Sequence, residues 1–175
     1  MDKLEYIPGD LVMTNGVPLG TAKDVVYRVT SSDPSKTLKL DDGTVLKGVV
    51  CLENIEGAEF GEKGYLSGDC CAWVKDIVPI NLVPAILEKN GWEKSIGWFY
   101  VGEEERGYQF SKELDDKWDE LDRRTYGDLQ ICQCHNLRDW SYINECNHSF
   151  RFEFTYVHEL QHLLYALHID SNLKI

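Results

Sequence analysis

Basic charge is scarce in this chain. Eighteen Lys and Arg stand against 30 Asp and Glu in 175 residues, a net charge of −12. Affinity for a nucleic-acid backbone comes from clustered Lys and Arg that displace counterions, so direct nucleic-acid binding is not expected. Acidity of this size suits a soluble protein that repels its own copies. It also suits a mimic of nucleic acid that blocks a basic site, although ordinary solubility explains it without a partner. Long apolar runs are missing too: nothing approaches the roughly eighteen residues of a membrane span. The start, Met1-Asp2-Lys3-Leu4-Glu5, is acidic and has no apolar h-region, so no secretory signal and a cytoplasmic location are expected. No internal repeat or low-complexity linker occurs. Neither a G-x-S-x-G nucleophile turn nor a G-x-x-x-x-G-K-[ST] phosphate loop is present.

The hydrophobic share of 43% and the aromatic share of 11% are enough for a packed core. Six cysteines without an export signal are expected as reduced thiols, and the adjacent Cys70 and Cys71 are not expected to pair with each other. Cys132, Cys134, Cys146 and His148 gather in a short stretch and could form a structural zinc site. The spacing is C-x-C rather than C-x₂-C, however. On a strand Cys132 and Cys134 share one face, where cysteine packs as a small hydrophobe.

Turn chemistry organises the first half. Pro8-Gly9-Asp10 is a tight turn before a strand at Leu11-Val12. Asp24–Thr30 and Lys36–Leu40 read as strands, Asp41-Asp42-Gly43-Thr44 as a hairpin turn, and Val45–Leu52 as the return strand. Ala72–Ile80 reads as a strand ending at Pro79. Leu82–Asn90 reads as a short helix with Pro84 in its first turn and Asn90-Gly91 as its stop. Strands follow at Gly97–Val101, Gly107–Phe110, Leu129–His135 and Ser149–Tyr156. Leu114, Trp118 and Leu121 give Ser111–Thr125 a helical stripe, although the segment reads equally as an inserted loop that becomes helical only when packed. The expected fold is α+β. An SH3-like small β-barrel or curled sheet over residues 1–78 precedes a module over 79–175, with a C-terminal amphipathic helix packed on its antiparallel sheet. The two could be one continuous domain.

That last helix, Val157–Ile169, holds the most specific pattern in the chain. His158-Glu159-x-x-His162 is the zincin signature, in which His at i and i+4 reach one ion and Glu activates its water. His168 lies six residues on, where metzincins place a third ligand. A zinc hydrolase would use His158 and His162 as ligands, His168 or an acidic residue from elsewhere as the third, and Glu159 as base. Against it, Tyr165 stands where a turning Gly is needed. No methionine follows for the Met-turn, Met1 and Met13 being the only two, and no later helix offers a Glu ligand. On a helical wheel Leu160, Leu163, Leu164 and Leu167 form a stripe, and the His pair faces away from it.

Three patches carry a resemblance. They are Pro8-Gly9-Asp10-Leu11-Val12, the run Pro79–Trp92 (Pro-Ile-Asn-Leu-Val-Pro-Ala-Ile-Leu-Glu-Lys-Asn-Gly-Trp), and Tyr156–Leu167 (Tyr-Val-His-Glu-Leu-Gln-His-Leu-Leu-Tyr-Ala-Leu). In this order they resemble a family of small uncharacterised proteins of Bacteroidetes genomes and their phages, whose tail reads YVHxLQ(N/H)LxxAL. The resemblance implies that the position of His162 is usually Asn and that of Glu159 often Gln, so the helix serves packing. This chain departs from the family tail at His168-Ile169-Asp170, where a Thr-Gly stop is common. No activity carries over, and the implied context is phage or mobile element. The expected function is a non-enzymatic, inhibitor-like binding protein that sequesters a small anionic or nucleotide ligand, or blocks a host defence protein, with no cofactor. The zinc hydrolase is the alternative. Trp118, Arg123, Arg124, Arg138, Trp140 and Tyr142 are the candidate ligand or partner surface, since an Arg beside an aromatic suits a nucleotide. Oligomer formation through exposed N-terminal strands is open.

Overall fold

Ile7-Pro8-Gly9-Asp10 forms a type II turn. Asp10 N–H donates to Ile7 O (3.2 Å), Pro8 supplies the fixed φ of the second position, and Gly9 takes φ +100° at the third. The turn launches β1 (Leu11–Thr14). This computed structural model describes residues 5–16, 23, 25–55, 70–99, 105–112, 129–134, 140–143 and 152–175. The fold class is α+β, with two antiparallel sheets and two α-helices among the described residues.

The chain divides into two units. The first comprises Met1–Asn81 and Tyr156–Asn172, the second Leu82–Thr155 and Leu173–Ile175. The C-terminal helix, expected on the sheet of the second module, therefore belongs to the first unit.

The first unit holds a sheet of order β4-β3-β2-β1-β5, built from β1, β2 (Tyr27–Lys39), β3 (Val45–Asn54), β4 (Cys70–Trp73) and β5 (Ile77–Pro79). Among the described residues no pairing joins β4 to β5, so the sheet is not closed. Val12, Tyr27, Val29, Val50, Leu52, Ala72 and Ile77 form the core with Tyr6 and Val25. β2 is one strand where two were expected. It continues through Ser31–Ser35, with register shifts at Val29/Ser31 and Asp33/Thr37 that absorb the polar residues and Pro34. The expected strand Ala72–Ile80 is broken by a 3₁₀ turn at Val74–Asp76. Gly48 explains the seat of that turn. It has φ +73°, and a Cβ there would stand 2.7 Å from Val74 Cγ2, so only glycine lets Val74 pack down on the core.

The second unit is a meander of order β10-β9-β8-β7-β6, made of β6 (Glu93–Phe99), β7 (Glu105–Lys112), β8 (Leu129–Cys134), β9 (Trp140–Ile143) and β10 (Phe152–Phe154). Phe110 is opposite Ile131, and Trp140 is opposite Phe154; all four are fully or almost fully buried. α1 (Pro84–Lys89) has Pro at its start, buries Ile86 and Leu87, and ends at Asn90 as expected. Asn90 also fastens the tail: its side chain accepts from Lys174 N–H (2.8 Å) and donates to Lys174 O (2.8 Å). Ser111 and Lys112, expected to begin a helix, complete β7; residues 113–125 lie outside the described ones.

Candidate functional site

α2 (Val157–Ala166) carries the His-Glu-x-x-His pattern. Its start is tied to the end of β5. Val157 N–H donates to Ile80 O (2.9 Å), and Asn81 bridges to Tyr156. The buried face is Val157, His158, Leu160, Gln161 and Leu164. The expectation that both histidines face away from the core is corrected, because the buried arc extends beyond the leucines to include His158. Leu167, expected in the core stripe, is exposed.

Glu159, Gln161 and His162 each have a structural hydrogen-bond partner. The Glu159 carboxylate accepts from Tyr156 N–H (3.0 Å), satisfying a donor at the helix start and placing negative charge at the positive end of the helix. Gln161 clamps three segments. Its Oε1 accepts from Leu11 N–H (2.9 Å), and its Nε2 donates to Gly9 O (3.0 Å) and Ser171 O (3.1 Å). His162 Nε2 lies 2.8 and 3.0 Å from the two oxygens of Asp10. An ionised carboxylate only accepts, so this nitrogen carries the proton. The Asp10 side chain is 2% exposed and that of His162 is 29% exposed. Asp10 also accepts from Ile7 N–H (2.8 Å), so one carboxylate closes the turn and holds the helix.

His158 is 6% exposed. Its ring stacks on Tyr156 (5.9 Å between centroids, 11° between planes) and tilts against Tyr6 (5.0 Å). The His162 ring stands edge-on at 5.6 Å. His158 Nδ1 is buried without a hydrogen-bond partner among the described residues. Burial disfavours the charged imidazolium and holds the His158 pKa below its ordinary value, although Asp10 and Glu159 pull the other way. Burial likewise pushes the Tyr6 phenol up, helped by the negative charge of Glu5.

His168 adopts φ 59° just past the helix. His168 N–H donates to Tyr165 O (3.0 Å) and Ile169 N–H to Leu164 O (2.9 Å), the paired bonds of a Schellman end. The chain does make a left-handed turn here, three residues beyond the position that metzincins give to Gly. His168 itself forms it and is exposed. The zinc set His158, His162, His168 with Glu159 is therefore not assembled as a ligand group. Among the described residues no cluster of three or more His, Cys, Asp or Glu has the arrangement to hold a metal ion.

The remaining candidates separate. Cys132 is buried on β8 opposite Gln109. Cys134 ends the same strand, while Cys146 and His148 lie outside the described residues. Trp140 is corrected from a ligand surface to the core: it is 0% exposed, donates from Nε1 to Leu82 O (3.1 Å), and packs edge-on to Phe110. Tyr142 lies on β9 beside Ile131 and Phe152 in register. Trp118, Arg123, Arg124 and Arg138 lie outside the described residues. Sequence reasoning missed Asp10 and Gln161 as the partners that organise the helix. It also missed the exposed apolar end of the β2–β3 hairpin: Leu38, Leu40 and, at 60% exposure, Val45.

No family model, no curated protein and no solved structure matches this chain.

Proposed function

We propose that this chain is a non-enzymatic binding protein of phage or mobile-element origin that blocks a host protein, a defence component being the expected kind. The observation that carries this reading is the use made of the His-Glu-x-x-His helix. Glu159 caps the helix, Gln161 clamps it, and His162 is held by Asp10, so no general base stands ready beside a metal pair. The origin rests on the three resembling patches of sequence. An SH3-like module is the finer reading of the first unit. The strand order β4-β3-β2-β1-β5, the 3₁₀ turn between β4 and β5 and the long bent β2 support it. Modules of that kind bind through surface loops rather than catalyse, an argument by analogy of fold. The exposed Leu38, Leu40 and Val45 at the hairpin end supply apolar contact area, and a charge of −12 favours a basic partner surface. A cytoplasmic site of action belongs to this reading.

Metal analysis of tag-free protein, beside His158→Ala/His162→Ala and Cys132→Ser/Cys134→Ser variants, tests it first. The binding reading expects no stoichiometric zinc and no peptidase turnover. One zinc lost only with the histidines, accompanied by hydrolysis, refutes it in favour of the hydrolase. One zinc lost only with the cysteines leaves it standing with a structural site. Titration with nucleotides separates ligand sequestration from the blocking of a protein.

A further inference from the structure

Cys51 and Cys71 occupy directly opposed positions on antiparallel strands, in the register Val50 to Ala72, Cys51 to Cys71 and Leu52 to Cys70. Their Sγ atoms are 2.8 Å apart. Cross-strand partners have Cβ atoms about 4.5–5.5 Å apart. A disulfide takes about 3.5–4.5 Å, so the two ranges meet at about 4.5 Å, and a small approach of the strands with rotation about χ1 bridges the pair with no change of register. Cys71 is exposed and Cys51 is half-buried, so a small oxidant reaches them from solvent. Cys70 is adjacent in sequence but alternates to the other face of β4, which takes it out of line with Cys51. Cys132 is buried in the other sheet.

We propose that Cys51 and Cys71 are an oxidation site, a cross-strand dithiol that a hydroperoxide converts to a disulfide. The Cys71 thiolate attacks one oxygen of hydrogen peroxide. An S–O bond forms, the O–O bond breaks, and the leaving hydroxide takes a proton to become water. The Cys51 sulfur then attacks the sulfenic sulfur of Cys71. The S–S bond forms, the S–O bond breaks, and the hydroxyl leaves as a second water with the Cys51 proton. Two thiols have lost two electrons and one peroxide has gained them. The bond closes a segment whose ends are 20 residues apart and fixes β4, at the edge of the sheet among the described residues, onto β3. A loop of that length raises Tm by about 5 °C or more in a chain of this size. This inference is independent of the binding reading.

The test is oxidation of the full chain with equimolar hydrogen peroxide, followed by counting of maleimide-reactive thiols under denaturing conditions and by peptide mapping. Wild type is expected to lose two of its six thiols, to regain them with dithiothreitol, and to yield one linked peptide pair joining Cys51 to Cys71. Cys70→Ser is expected to lose two as well; Cys51→Ser is expected to lose no more than one, as the Cys71 sulfenic acid, and to yield no linked peptide pair. Six thiols retained by the wild type, linkage through Cys70 or Cys132, or the same loss in Cys51→Ser would overturn the assignment. Should Cys51→Ser fail to fold, the peptide map of the wild type and the Cys70→Ser count decide.

Discussion

Replacing His162 by Ala tests most directly whether α2 is built for structure. Asp10 has a side chain 2% exposed, and its carboxylate is held by the Ile7 N–H and by His162 Nε2. The substitution removes one of those donors and leaves the charge in place. A hydrogen bond to a charged group contributes about 1.5–3 kcal/mol when its loss leaves the group buried. His162 is 29% exposed, so water enters where the ring stood and recovers part of that sum; a loss of about 1.5 kcal/mol is expected. Asp10→Asn on the same background removes the charge that demands the donor while keeping an oxygen for Ile7. The double variant should therefore be more stable than the sum of the two single changes predicts, by roughly 1 kcal/mol. Equilibrium urea unfolding followed by circular dichroism measures all four proteins, with unchanged m-values as the condition for comparing midpoints. A His162→Ala loss below about 0.5 kcal/mol, or a strictly additive cycle, refutes the claim that this pair anchors the helix.

Gln161→Leu should cost more, about 3 kcal/mol, because it strands the buried Leu11 N–H and two backbone carbonyls; the same urea series reads it. His168→Gly should stabilise by about 1 kcal/mol, since glycine carries no penalty at φ 59°, and thermal unfolding would show the rise. His158 is held below its ordinary pKa, so the unfolded chain takes up its proton first as pH falls. Its contribution is fully present above about pH 6.5 and is lost progressively below that, down through its lowered folded pKa. Tm measured from pH 7.5 to 5 should fall more steeply in wild type than in His158→Phe, which keeps a ring between Tyr6 and Tyr156; equal slopes would refute the assignment.

What could be read in advance was governed by local chemistry. Pro8-Gly9, Asp42-Gly43 and Pro84 with Asn90-Gly91 act on the few residues around them, and the turn, the hairpin and α1 lie where those residues put them. Elements set by distant partners were not readable in the same way. Ser31-Ser32-Asp33-Pro34-Ser35 has the composition of a loop, yet it continues β2 because β3 offers a partner strand along that stretch and bulges take up the misfit. Val74–Asp76 has the composition of a strand, yet it turns because Gly48 opens a place for Val74. β9 went unseen, and only its pairing with β8 and β10 makes Trp140–Ile143 a strand.

The candidate site failed to be readable for the same reason, and the failure bears on how the pattern is understood. The partners of Gln161 and His162, Leu11 and Asp10, are 150 and 152 positions away, so nothing near the helix reveals them. A wheel drawn from leucines alone turns both histidines to solvent; the observed buried face places His158 inside and His162 at the rim. Taken separately, each fixed position of His-Glu-x-x-His meets a need unrelated to metal. A ring is needed to fill the space beside Tyr6 and Tyr156, a carboxylate to cap the N-terminus, and a donor to answer a buried aspartate. Asn at position 162 could meet the last need and Gln at 159 the second, because each keeps the required donor or acceptor. Neither could bind and activate a metal-bound water as His and Glu do. A His162→Asn variant that keeps Asp10 and folds with wild-type stability would place this helix on the structural side of that distinction, and a loss as large as that of His162→Ala would refute it.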